Sequence, residues 1–135
     1  MERDQGDSLG AHLRRRRRAL GLLRSEAATL ICADEKSLMF WERDEREPLV
    51  SAFPAIIAFL GYEPWAPPGT LGDALLAERR RRGIETSKAA ELAGVDEGTW
   101  RRWARGEWKP TRRTLRGLDG LLGYSVAEHF PNDVR

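Results

Sequence analysis

Residues 86–106 read TSKAAELAGVDEGTWRRWARG, a pattern that predicts two short helices joined by a three-residue turn. We expect the first helix over about 87–93 and the turn at Gly94-Val95-Asp96. The aspartate can accept an amide hydrogen bond there and so cap the helix that follows. In that second helix Trp100 and Trp103 are three residues apart and share one face, which is expected to be buried.

The same pattern occurs 62 positions earlier, where residues 24–44 read RSEAATLICADEKSLMFWERD. The match extends outward without a gap, so that residues 8–62 align with residues 70–124 at this constant offset. The identical pairs include Leu9 with Leu71, Gly10 with Gly72, Leu13 with Leu75, Gly21 with Gly83, Ala27-Ala28 with Ala89-Ala90, Leu30 with Leu92, Asp34 with Asp96, Trp41 with Trp103, Pro48 with Pro110 and Leu60-Gly61-Tyr62 with Leu122-Gly123-Tyr124. A register kept over this length predicts two domains of one fold.

The chain is therefore expected to be all-α, with two tandem domains of four to five helices each. Domain 1 spans residues 8–62 and domain 2 spans residues 70–124. Residues 63–69 contain three prolines and are expected to form a short, stiff linker, and residues 125–135 remain as a C-terminal tail. No segment has the alternating pattern of a strand.

Composition excludes several classes of protein. Hydrophobic residues make up 41% and charged residues 33% of the chain, a mixture typical of a globular protein. The apolar stretches are too short to span a bilayer and residues 1–10 lack the features of a signal peptide, so the chain is expected to be cytoplasmic. One cysteine and two histidines without ligand spacing predict no disulfide and no metal site. No catalytic motif or cofactor loop is present, so neither an enzyme nor a cofactor is expected.

Several single side chains have simple structural interpretations. Cys32 is expected to be a small buried residue, whereas His12 and His129 are expected on the surface. The loop tryptophans Trp65 and Trp108 are expected to pack against their domains, because a platform for stacking bases would need aromatic companions.

The second copy carries AAELAGVD at residues 89–96, TWRRWARG at residues 99–106 and Pro110. These motifs resemble the helix-turn-helix family of the lambda and Cro repressors, including its xenobiotic-response-element branch, and the resemblance covers both copies. It implies that the helix after the turn enters the major groove of DNA and that the preceding helix points its start at a phosphate. The implied contact positions are Thr86, Glu97, Gly98, Arg101 and Arg102 in the second copy, and Arg24, Glu35, Lys36, Met39 and Phe40 in the first.

The first copy departs from the family at the turn, where Cys32 replaces the usual glycine and is expected to strain or reshape the backbone. Asp44 replaces the glycine that follows the third helix, which the second copy keeps as Gly106. Where the family has a polar cap and then glutamine at the start of the second helix, the two copies have Leu23-Arg24 and Glu85-Thr86. This leaves Arg24 as a phosphate ligand, and Thr86 as either a cap or a phosphate donor.

The two copies differ in net charge around the third helix. Residues 34–54 carry three cations against six anions, net −3, whereas residues 96–116 carry seven cations against three anions, net +4. Because neutralising phosphates releases counterions, the second copy is expected to be the main DNA reader. Arg101 and Arg102 are the candidates for base edges. The candidates for backbone contacts are Arg105, Lys109, Arg112 and Arg113.

Three alternatives stay open. Met39 and Phe40 stand where the second copy has two arginines, an apolar pair typical of a protein contact, so domain 1 binds DNA weakly, a partner protein or a second copy of this chain. The arginine runs at residues 14–18 and 79–82 either contact DNA or are solvated and paired. The competing function for the whole chain is a protein-interaction module of the same fold, an antitoxin or coregulator with weak or no base reading.

Overall fold

All regular structure in the described part of the chain is helical. The computed structural model describes residues 7–135, and this range contains nine α-helices, two short 3₁₀ turns and no strand, so the all-α expectation is confirmed there. The α-helices are α1 Leu9–Ala19, α2 Arg24–Ile31, α3 Glu35–Glu42, α4 Phe53–Leu60, α5 Leu71–Arg82, α6 Thr86–Ala93, α7 Glu97–Ala104, α8 Arg112–Leu122 and α9 Val126–His129, and the 3₁₀ turns are Val50–Ala52 and Pro131–Asp133. None of these helices has the length and apolar composition needed to cross a membrane.

The helices fall into two compact units, one ending at Ala66 and the other beginning at Pro67. The boundary lies inside the proline-rich segment, but the first part of that segment is more than a spacer. Pro64 is buried in the first unit, and the Trp65 ring lies 6.0 Å from the Phe53 ring in a tilted contact. Residues 63–66 are therefore part of the first unit.

Each unit contains the predicted pair of helices joined by a three-residue turn, and α2 and α3 match α6 and α7 residue for residue at the offset of 62. Asp34 accepts a hydrogen bond from the Ser37 N–H at 2.6 Å, and Asp96 accepts one from the Thr99 N–H at 3.2 Å. Both predicted caps are thus confirmed. The hydrogen bonds from Ser37 lower the pKa of Asp34, and those from the side chain and backbone of Thr99 lower the pKa of Asp96, so both caps are held in their ionised form.

The helices before the turns begin one residue earlier than predicted, at Arg24 in α2 and at Thr86 in α6. The residues that precede them, Leu23 and Glu85, accept no capping hydrogen bond with their side chains. The interpretation of Thr86 as a cap is therefore wrong, because it is already the first helical residue. In α2 the carboxylate of Glu26 accepts a hydrogen bond from the Leu23 N–H at 2.8 Å, which satisfies one amide at this helix end.

The turn of the first unit is strained rather than reshaped. Cys32 has φ 61° and ψ 36°, the left-handed conformation that Gly94 adopts at the matched position with φ 78° and ψ 27°. A side chain in this region costs about 1–2 kcal/mol relative to the right-handed helix, a cost that glycine avoids. The Cys32 side chain is exposed, so the prediction that it is buried is wrong. Asp44 is strained in the same way, with φ 57° where Gly106 has φ 74°.

Each unit has its own core, and a pair of adjacent alanines is buried in each. Ala27 and Ala28 are 0% and 2% exposed in the first unit, and their counterparts Ala89 and Ala90 are 0% and 1% exposed in the second. The other buried hydrophobic members are Leu13, Ile31, Leu38, Ile56, Phe59 and Leu60 in the first core, and Leu71, Ala74, Leu75, Ala93, Trp100, Trp103, Leu118, Leu121, Val126 and Phe130 in the second. Trp41, the counterpart of Trp103, packs at the edge of its core and is partly exposed.

Residues 125–135, expected as a C-terminal tail, pack into the second unit. Val126 and Phe130 are buried in the second core. The Val126 N–H donates to the Asp119 carboxylate at 2.9 Å, and the Leu71 N–H at the start of α5 donates to Asp133 at 3.1 Å. The C-terminal segment therefore completes the second unit and caps its first helix.

Two polar side chains of α1 and α3 are buried against expectation. His12 is 1% exposed, and its Nδ1 lies 2.7 Å from the Tyr62 hydroxyl, so its surface assignment is wrong, whereas His129 is exposed as predicted. Glu42 is also 1% exposed, and its carboxylate accepts hydrogen bonds from the Arg17 guanidinium at 2.7 and 3.0 Å. These bonds raise the pKa of Arg17.

Most side chains of the two arginine runs form hydrogen bonds or ion pairs within their own unit. In the first run Arg14 donates to the Glu42 carbonyl, Arg16 donates to the Phe59 carbonyl at 3.0 Å and Arg15 pairs with Asp7. In the second run Arg81 and Arg82 pair with Glu78, and Arg82 also donates to the Leu121 carbonyl at 3.0 Å. For most arginines of both runs, the structure therefore favours the alternative in which they are paired within the protein.

Candidate nucleic-acid interface

The two faces of α7 have opposite character. Trp100 and Trp103 are 1% and 3% exposed and anchor one face in the core of the second unit. Arg101, Arg102 and Arg105 are all exposed. Because the tryptophans hold the orientation of the helix, the three arginines are presented to solvent.

Arg101 is paired, but only at the surface. Its Nη2 lies 2.7 Å from Oε1 of Glu97 one turn earlier, and the two side chains are 57% and 40% exposed. An exposed pair of this spacing contributes about 0.3–0.5 kcal/mol, so Arg101 can exchange Glu97 for a stronger acceptor at little cost. Glu97, itself a predicted site residue, is thus the partner that an incoming ligand would displace.

Arg102 contacts an aromatic ring instead. Its guanidinium carbon lies 4.3 Å from the centre of the Trp108 ring, and Trp108 is 49% exposed. The chain reaches this position because it turns back at Gly106, so that the N–H groups of Glu107 and Trp108 donate to the Arg102 carbonyl at 2.9 and 3.3 Å. Trp108 is a residue that sequence reasoning missed as part of the site. The sequence feature that bears on this contact is Gly106, which follows α7 and lies two residues before Trp108.

The loop after α7 gathers further cations. Arg105 is 67% exposed and lies 3.9 Å from Glu107. Arg105, Trp108 and Lys109 border one small cleft, and Trp108 and Lys109 also border a second one with Thr99, Thr111, Thr114 and Arg135. The exposed Arg112 and Arg113 lie in the first turn of α8 and line neither of these clefts. Thr86 lies half-buried at the start of α6.

The matched surface of the first unit is different. Arg24, expected to bind phosphate, lies 3.4 Å from the buried Glu42 carboxylate and is 32% exposed. Lys36 is exposed. Met39 and Phe40 are only half-exposed, and the Arg46 guanidinium lies 4.3 Å above the Phe40 ring, so the predicted exposed apolar pair is partly covered.

No family model, curated protein or solved structure matches this chain.

Proposed function

We propose that the chain is a DNA-binding regulator of the lambda-repressor-like helix-turn-helix type that reads the major groove with α7 of its second unit. One observation carries the proposal. A helix that follows a three-residue turn buries two tryptophans and exposes two arginines, Arg101 and Arg102, and the exposed Arg105 follows it directly. Two eight-residue helices around such a turn fit the known docking of a recognition helix, whose early and middle positions meet base edges.

Electrostatics supports the second unit over the first. Lys109, Arg112 and Arg113 add exposed positive charge near the start of α8, and such side chains neutralise phosphates and release counterions. In the first unit the predicted phosphate ligand Arg24 is instead paired with the buried Glu42 carboxylate, which offsets its charge. Base reading is assigned to Arg101 and Arg102 because a guanidinium edge matches the two acceptors of guanine.

Salt dependence of duplex binding tests this function. The intact chain is expected to bind duplex DNA with an affinity that falls linearly on a log–log plot against salt. Lys109→Ala should weaken binding to all sequences alike and reduce the slope by about one unit, because one phosphate contact is lost. Lys36→Ala removes an exposed lysine from the first unit, at a position that the resemblance places at DNA. Because the proposal assigns DNA reading to the second unit, no change in slope is expected for this variant. Salt-independent binding, or equal effects of the two variants, would contradict the proposal.

A protein-interaction role for the first unit is the second candidate. Leu23 is 68%, Leu30 61% and Leu49 75% exposed, and these are the most exposed large hydrophobic side chains in the described part of the chain. A partner protein or a second copy of the chain would cover them. A tight protein complex formed without salt-dependent DNA binding would favour this candidate over the regulator.

A further inference from the structure

The guanidinium of Arg102 lies close to both its own helix and the following loop. The Trp108 ring is 4.3 Å from the guanidinium carbon. In α7, a Cβ added at Gly98, one turn earlier, would lie 3.1 Å from Asp96 Oδ2 and 3.2 Å from Arg102 Nη1. The glycine thus leaves room for the guanidinium, and the tryptophan contacts it from the loop.

The same backbone arrangement occurs in the first unit, with the two side chains exchanged. Phe40 takes the position of Arg102, and Arg46 takes the position of Trp108, again at 4.3 Å. The Glu45 N–H donates to the Phe40 carbonyl at 3.0 Å, which matches the bond from Glu107 to Arg102 in the second unit. In both units the loop turns back over the preceding helix and brings a cation and an aromatic ring together. The helix supplies the cation in the second unit, and the loop supplies it in the first.

The chemistry of the contact bears on recognition. A ring covers the flat face of a guanidinium and leaves its in-plane N–H groups free to donate. A carboxylate does the opposite, since Glu97 occupies donors of Arg101 and offsets its charge. Among residues 7–135 no carboxylate forms an ion pair with Arg102. Arg102 therefore keeps both its charge and its donor edge while its side chain is held.

We propose that Trp108 is a positioning residue that holds Arg102 for bidentate contact with a guanine edge, so that Arg102 discriminates between bases more strongly than Arg101. The inference rests on the proposed DNA-binding function and assigns the main discrimination between bases to Arg102. A side chain that is already restrained loses less conformational freedom on binding. A guanidinium group held in one orientation also binds poorly to acceptors that do not match the positions of its donors.

A double-mutant cycle tests this role. The measured quantity is the ratio of affinities for a duplex selected by the chain and for the same duplex with its preferred base pairs exchanged. Trp108→Ala should reduce this ratio about two- to fivefold, the range expected for an exposed cation–π contact, and Trp108→Phe should reduce it less. In the Arg102→Ala background, Trp108→Ala should have no further effect on the ratio. Arg46→Ala breaks the exchanged stack of the first unit and should leave the ratio unchanged.

A readout without DNA separates the two possible failures. The aromatic ring-current shift of the Arg102 side-chain protons should be present in the intact free chain and lost in Trp108→Ala. An equal loss of discrimination in both Arg102 backgrounds, or an unchanged ratio in Trp108→Ala, overturns the positioning role and leaves DNA binding intact. If the ring-current shift is present but no duplex is bound, the proposed function fails and the positioning role fails with it.

Discussion

Phe130→Ala is expected to lower the free energy of unfolding of the second unit by about 3–5 kcal/mol, the range for removing a buried phenylalanine side chain. Phe130 is 8% exposed and lies in one core with Val126, which is fully buried. The deletion would leave a cavity and loosen the 3₁₀ turn that brings Asp133 to the start of α5. Amide hydrogen exchange in α5–α8 of the intact chain reports the stability of this unit separately from the first.

Phe130→Leu is the control, because it keeps apolar volume at the site and should cost less than half as much. Exchange in α1–α4 should be unchanged in both variants, since these helices belong to the other unit. Unaltered protection of α5–α8 in Phe130→Ala would mean that residues 125–135 do not contribute to the stability of the second unit.

Glu42→Ala is expected to destabilise the first unit by about 3 kcal/mol, near the lower end of the range for breaking a buried charge pair. The Glu42 carboxylate is 1% exposed, and its partners Arg17 and Arg24 are 14% and 32% exposed. Without it, both guanidinium groups lose their counter-charge, although Arg24 can turn partly toward water. Urea unfolding, read through exchange of the α1–α4 amides, measures the effect.

Glu45→Ala removes a carboxylate three residues later that is exposed to solvent, and its effect should stay within about 0.5 kcal/mol. A similar small effect for Glu42→Ala would show that the buried network contributes nothing beyond a surface charge. Ala104 stands at the position in the second unit that matches Glu42, and the buried carboxylate of that unit is instead Glu78, which is 7% exposed and pairs with Arg81 and Arg82.

The local structure could be predicted from the sequence where it depends on neighbouring residues. The turn and the capping aspartates Asp34 and Asp96 follow from spacing and capping rules, and the structure confirms them. The C-terminal segment could not be found in this way. Residues 125–135 have no counterpart in the repeat, and the burial of Val126 and Phe130 depends on the assembled unit.

The charge count shows that the sequence alone does not give the net charge of a surface, because it does not show which charged side chains are buried. Glu42 was counted as a surface anion, yet it is buried against Arg17, so the first unit is less acidic at its surface than its sequence suggests. The exposure of Arg101 and Arg102 was predictable, because Trp100 and Trp103 fix the buried face of α7. The contact of Trp108 with Arg102 was not, since it depends on a loop that folds back over its own helix.

Selection of bound sequences from random duplex DNA is the most direct test of base reading by α7. The intact chain should enrich a defined sequence, and Arg101→Ala and Arg102→Ala should each relax the preference at a different base pair, by about 1–3 kcal/mol for a lost bidentate contact. An unchanged sequence preference in both variants would contradict the account and assign base reading to other residues.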